Sequence, residues 1–300
     1  MPDGVPHEDP GTLRSMPGAS GRVAVVTDST AYLPADVVER HGLTVVPLQV
    51  VVGGRSLAEG VEVTSDEVAQ ALRESRPVTT SRPSPQTFAQ TYRSLGAAEV
   101  VSVHLSADLS GTADAARLAS REVADEGIAV TVVDSRSLAM GLGFVAVAAA
   151  RAAIDGADAD AVARVARRLA PEVAIWLYVD TLEYLRRGGR IGAAAAVVGS
   201  ALSVKPLLHL VDGRLEPLER VRTTGRALAR LEELAVRGGS DREVDVAVQH
   251  LAAPERAREV ADRLSARLPK ARSMHVGEVG AVVGAHVGPG MLGVVVAPAS

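Results

Sequence analysis

The sequence predicts an α/β protein of two domains, an N-terminal parallel sheet with helices on both faces and a C-terminal α+β domain. Three observations predict it. β-branched runs alternate with helix-length apolar patterns between Arg22 and Ile154, which is how β-α-β units read. Three of those runs end in small polar residues: Asp28-Ser29-Thr30, Ser106 to Thr112, and Asp134-Ser135. Ligands of open parallel sheets sit beyond such strand ends. In the second half, Asp212-Gly213 stands between two apolar runs and signals a hairpin that a doubly wound sheet does not need.

The elements follow in order. Residues 1–20 hold four Pro and three Gly without a period and read as a disordered tail. Residues 21–156 form the first domain. Arg22–Thr27 is a buried strand, Ala35–His41 a short helix stopped by Gly42, and Thr44–Val52 a second strand turned by Gly53-Gly54. Thr64 to Glu67 has capping-box spacing and opens a helix to Ser75. Thr79 to Pro85 is a polar loop, and Ser84-Pro85 starts a helix that ends at Gly96. Val100–Val103 is a strand, followed by a helix starting near Ser110. Ala129–Val133 is a strand, and Ala139–Ile154 is an apolar helix in which Gly141 and Gly143 have a packing role. Asp155–Asp160 is the boundary, and residues 157–300 form the second domain. It has helices at Ala161–Leu169, Ala193–Leu202, Arg226–Val236 and Pro254–Leu268, with a short one capped by Asp180-Thr181. Its strands are Glu172–Val179, the pair around Asp212-Gly213, and Glu243–Gln249, before a Gly-rich apolar end.

Composition excludes several classes of function. Of 300 residues 47% are hydrophobic but only seven are aromatic, so the cores are aliphatic. A net charge of −4 without a basic tract argues against a nucleic-acid partner. The chain contains no cysteine, which removes disulfides, thiolate metal sites and thiol nucleophiles. No apolar run is long enough to span a membrane and no signal peptide is evident, so a cytoplasmic location is expected. The seven histidines never fall at metal-ligating spacing, and no Walker A or dinucleotide fingerprint appears. Neither a metal nor a cofactor is expected.

The remaining chemistry is that of an anion site. Val100–Ala116 feeds a strand into a helix through Ser110-Gly111-Thr112, and free N–H groups at a helix start favour an anion. The same residues are equally good helix caps. Thr80 lies in a polar loop, His286 in the constrained loop Ala285 to Gly290, and Arg190 follows two glycines that free its fork. Together these groups suit anion binding without covalent chemistry. The alternative is a serine hydrolase acting on acyl esters, with Ser110 as nucleophile and His286 as base. Against it, G-x-S-x-G is absent, because Asp108 occupies the position two before Ser110.

An ordered series of motifs resembles the DegV family of bacterial fatty-acid-binding proteins. Val25 to Thr30 resembles its T-D-S-T turn, Thr80 to Pro85 its T-S-Q-P-S-P loop, and Leu109 to Thr112 its L-S-G-T start. Asp134 to Ser137 and Met140 to Gly143 match D-S-K-S…M-G-L-G. Asp180 to Leu185 through Gly188-Gly189-Arg190-Ile191 is the most specific match. It continues through Lys205-Pro206, Asp212-Gly213 and Arg222 to His286-Val287-Gly288-Pro289-Gly290. The resemblance implies a long-chain fatty acid such as palmitate between the domains and no catalytic activity of the protein's own. It implies a carboxylate held by Thr80 and Ser110, with His286 and Arg190 nearby. It also implies presentation of the acid to a fatty-acid kinase, with Arg222 on the contact surface. Three departures bear on the head group: Arg82 replaces Gln, Val287 replaces Thr, and Asp108 precedes Ser110.

Overall fold

A computed structural model describes residues 23–197 and 205–300. The proposed N-terminal tail, and the helix proposed for Ala193–Leu202 beyond residue 197, lie outside the described residues.

The first half runs β1 (Ala24–Asp28), α1 (Ala35–Arg40), β2 (Thr44–Val46), β3 (Gln49–Val52), β4 (Arg55–Ala58), α2 (Ser65–Arg73), β5 (Val78–Ser81), α3 (Pro85–Ser94), β6 (Glu99–His104), α4 (Thr112–Ala124), β7 (Ala129–Asp134), α5 (Met140–Ile154) and α6 (Ala159–Leu169). β2-β1-β6-β7 form a wholly parallel sheet. Alternation along its strands sends neighbours to opposite faces. Val26 and Val100 join Phe88 and Tyr92 of α3 and the alanines of α4. Val25, Val101 and Val103 join α5 and α6 on the other face. Helices therefore cover both faces, as expected. α6, which follows the Asp155–Asp160 stretch, contributes Val162, Ala163 and Ala166 to this first-sheet core.

In this half the structure has two strands beyond those expected, β4 and β5, and divides one expected strand in two. The run expected as a single strand, Thr44–Val52, breaks at Pro47, which has no N–H for a ladder. Its second part leaves the parallel sheet and pairs with β4 and β5 in a small antiparallel sheet. The polar loop expected from Thr79 is the end strand of that sheet, with Thr80 opposite Val50.

The second half runs β8 (Ala174–Tyr178), α7 (Glu183–Arg187), β9 (Lys205–Val211), β10 (Arg214–Val221), α8 (Thr224–Gly239), β11 (Val244–His250), α9 (Pro254–Arg267), β12 (Ala271–Glu278), α10 (Ala281–Val287) and β13 (Leu292–Pro298). Its sheet has the order β10-β9-β8-β13-β11-β12, antiparallel except for the last pair. α8 and α9 pack on one face. The other face receives α5: Met140 and Phe144 pack with Ile175, Leu177, Ala247 and Val295. α5 is thus held between two sheets, with twelve of its fifteen residues buried. A helix apolar on every side suits that position. Its glycines allow close approach, because a Cβ at Gly141 would lie 2.6 Å from Ile175 Cδ1 and one at Gly143 2.9 Å from the Ala31 carbonyl.

The β9–β10 turn crosses to the first sheet. Ser106 Oγ donates to the Gly213 carbonyl at 2.7 Å, Arg214 pairs with Asp108 at 2.8 Å, and Arg136 meets Asp212 at 3.4 Å. These bonds bring the ends of β6 and β7 against the second sheet.

Candidate functional site

Asp28, at the end of β1, fixes the strand ends that face the site. Its carboxylate accepts from Thr30 N–H at 3.1 Å, Thr30 Oγ1, Leu105 N–H at 3.0 Å and His104 Nδ1–H at 3.0 Å. His104 Nε2 accepts from Ser102 Oγ at 2.7 Å, and Ser102 accepts from Tyr92 at 2.9 Å. Ser102, His104 and Asp28 have the hydrogen-bond pattern of a hydrolytic triad, but all three are fully buried. With no route for a substrate, the chain of bonds ties β1 to β6.

Beyond those strand ends lies a cavity enclosing about 560 Å³ of non-protein space, its open mouth included. Leu48, Leu105, Leu109, Leu138, Leu185, Leu215, Val282, Val283 and Val287 supply aliphatic walls. Thr80, Ser110, Arg190 and His286, all singled out in the sequence, line the same cavity. They come from β5, the loop before α4, the segment after α7, and α10. Arg222 is exposed after β10 and does not line it.

The geometry corrects two expectations. His286 is not on a loop but in the last turn of α10, with Gly288 ending that helix at φ +75. Ser110 does not start a helix: α4 begins at Thr112 with Gly111 as N-cap and no side-chain cap bond. Ser110 Oγ instead meets Thr112 Oγ1 at 2.9 Å, at the cavity wall. The capping explanation of this serine is therefore not what the structure shows.

Thr80 Oγ1 and His286 Nε2 are 2.8 Å apart. Burial and the nearby Arg190 charge push the His286 pKa down to about 4, so the ring is neutral at pH 7. His286 Nδ1 is buried with no partner, lying against the α-carbon of Gly188, where a Cβ would come within 2.0 Å. A ring protonated on Nε2 donates to Thr80 and leaves the threonine hydroxyl proton free for an anion in the cavity. Arg190 Nε donates to the Leu109 carbonyl at 3.0 Å and Nη1 to the Gly188 carbonyl at 2.7 Å, which fixes its fork at the wall. Asp108, the acid near Ser110, is exposed and neutralised by Arg214.

Sequence reasoning missed the groups that place α10. Glu59 Oε1 accepts from Val282 N–H at 2.7 Å and from the Tyr32 hydroxyl at 3.1 Å, while Ser29 Oγ donates to Oε2. Tyr32 in turn accepts from Val283 N–H at 3.0 Å. Burial raises the pKa of both Glu59 and Tyr32. Glu59 lies in a mixed polar stretch that also holds Arg55, Ser56 and Glu62, so nothing local in the sequence marks it out. Among the described residues no cluster of three or more His, Asp or Glu could hold a metal ion.

A hydrolase would need more than this. His286 Nε2 serves Thr80 rather than Ser110, and its Nδ1 meets no carboxylate. The orienting acid of a triad is missing.

A family model described as "Uncharacterised protein, DegV family" matches residues 22–299. The chain belongs to the DegV family. A DegV domain-containing protein of Streptomyces coelicolor is 58% identical, covering 92% of this chain and 99% of its own. Among solved structures, a DegV family protein of Thermus thermophilus described by its fatty acid binding has a TM-score of 0.87 at 35% identity. It covers 93% of this chain and 100% of its own. DegV of Bacillus subtilis, described as a fatty acid binding protein, gives a TM-score of 0.83 at 32% identity, with coverage of 93% and 100%. Among the described residues no helix is long and apolar enough to cross a membrane.

Proposed function

We propose that the protein binds a long-chain fatty acid such as palmitate and has no catalytic activity of its own. One observation carries this: Thr80, Ser110, Arg190 and His286, from four separate parts of the fold, converge on a single cavity whose walls are mostly aliphatic. Thr80 and Ser110 donate hydroxyl protons to the carboxylate. His286 orients Thr80, and Arg190 supplies positive charge. Burial of a C16 chain contributes on the order of 10 kcal/mol at about 0.8 kcal/mol per methylene. The acyl chain therefore dominates affinity, and the head group sets orientation. The fatty acid binding described for the Thermus and Bacillus proteins supports the same reading.

Presentation of the bound acid to a fatty-acid kinase, in the cytoplasm, extends this proposal. Arg222 suits such a contact surface because it is exposed and stands apart from the cavity. Native mass spectrometry of the purified protein tests the core of the reading. The expected result is a co-purifying acyl chain, or stoichiometric palmitate rebinding after delipidation. Absence of both overturns it.

A further inference from the structure

Arg82 occupies the short link between β5 and α3. Pro83 follows it and restricts its backbone to extended conformations, and Ser84 then caps α3 with Pro85 in the first turn. The arginine is exposed but lines the mouth of the cavity. Its guanidinium lies on the α-carbon of Gly111, where a Cβ would come within 2.1 Å of Nη1 and 3.1 Å of Cζ. Gly111 has an ordinary φ of −75, so its value there is space.

Two guanidinium groups therefore bracket Ser110. Arg190 bonds the carbonyl of the residue before it, and Arg82 covers the residue after it. Arg214 is neutralised by Asp108, and Arg190 is occupied in part by carbonyl groups. No carboxylate among the described residues pairs with Arg82. The neighbouring histidine is uncharged. The mouth thus holds a cation that has no counter-ion among the described residues.

We infer that Arg82 is a specificity-determining residue of the head-group site, selecting an ionised carboxylate over the neutral head of an ester or alcohol. The inference rests on the fatty-acid reading above. A carboxylate at Ser110 gains the attraction of both guanidiniums, and a neutral head gains neither. Because Arg82 is in contact with water, screening keeps its contribution moderate.

Two variants test it on delipidated protein with palmitate and hexadecanol as probes. Arg82→Gln removes the charge. Gly111→Ala keeps the charge but displaces the guanidinium, whose exposed side chain can swing aside without unfolding the protein. Each is expected to weaken palmitate binding about five- to tenfold while changing hexadecanol binding less than about twofold. Raising NaCl from about 0.05 to about 0.5 M should weaken palmitate binding more in the wild type than in Arg82→Gln. Wild-type palmitate affinity in Arg82→Gln, or equal weakening of both probes, overturns the assignment. A wild-type protein that binds neither probe overturns the fatty-acid reading itself, which is a separate result.

Discussion

Substituting Gly188 tests how the head-group histidine is held. Its backbone, φ −75 and ψ −7, is helical and open to any residue. Alanine there should gain about 0.5–1 kcal/mol over glycine from backbone entropy alone. The new Cβ, however, would lie 2.0 Å from His286 Nδ1 and 2.7 Å from Cε1. The ring cannot yield cheaply, because Thr80 holds its far nitrogen at 2.8 Å and Glu59 pins the first turn of its helix. Overpacking of this kind costs about 1–3 kcal/mol. Gly188→Ala should therefore destabilise the protein by a net ~1–2 kcal/mol. Loss of the Thr80–His286 bond, worth about 0.5–1.5 kcal/mol, should weaken palmitate binding roughly three- to tenfold. Urea unfolding and displacement of a fluorescent fatty acid give the two numbers. In a His286→Ala background the clash is gone, so Gly188→Ala should become neutral or slightly stabilising. Unchanged stability and affinity in the single variant, or full additivity in the double, would refute the packing argument.

Three other outcomes are expected. Ser110→Ala should weaken palmitate binding about three- to tenfold while leaving the thermal melt nearly unchanged, since Ser110 caps no helix. His286 is held at a pKa of about 4 in the fold, below its ordinary value near 6.5. Between those values the unfolded chain binds more protons, so stability falls as pH drops through that window, by at most about 3 kcal/mol. Urea midpoints from pH 7.5 to 4.5 measure this, and His286→Asn should flatten that part of the profile. Asp28→Asn puts an amide against the Leu105 N–H and His104 Nδ1–H donors, and should cost about 2–4 kcal/mol by leaving buried donors unpaired.

The sequence revealed most where structure is local. The first parallel sheet, the α3 cap at Ser84-Pro85 and the Asp212-Gly213 hairpin could be read because strand alternation and turn chemistry are written in neighbouring residues. The antiparallel sheet carrying Thr80 could not, since β4 and β5 are short, half-polar strands that exist by pairing with β3. α10 escaped for a related reason. Seven residues with Gly284 inside make a poor isolated helix, and its first turn is held by Glu59, more than two hundred positions away. The four site residues were recognisable by chemical type and motif, but the Thr80–His286 bond joins residues 206 positions apart. Gly188 read only as part of a glycine stop. In the fold Gly189, at φ +69, makes the turn, and Gly188 makes room for a ring.

A crystal structure of the delipidated protein reloaded with palmitate tests the central claim most directly. The account predicts carboxylate oxygens within hydrogen-bonding distance of Thr80 Oγ1 and Ser110 Oγ, with the acyl chain running past Leu105, Leu138 and Val283. Palmitate seated with its carboxylate away from Thr80 and Ser110, or outside this cavity altogether, would contradict it.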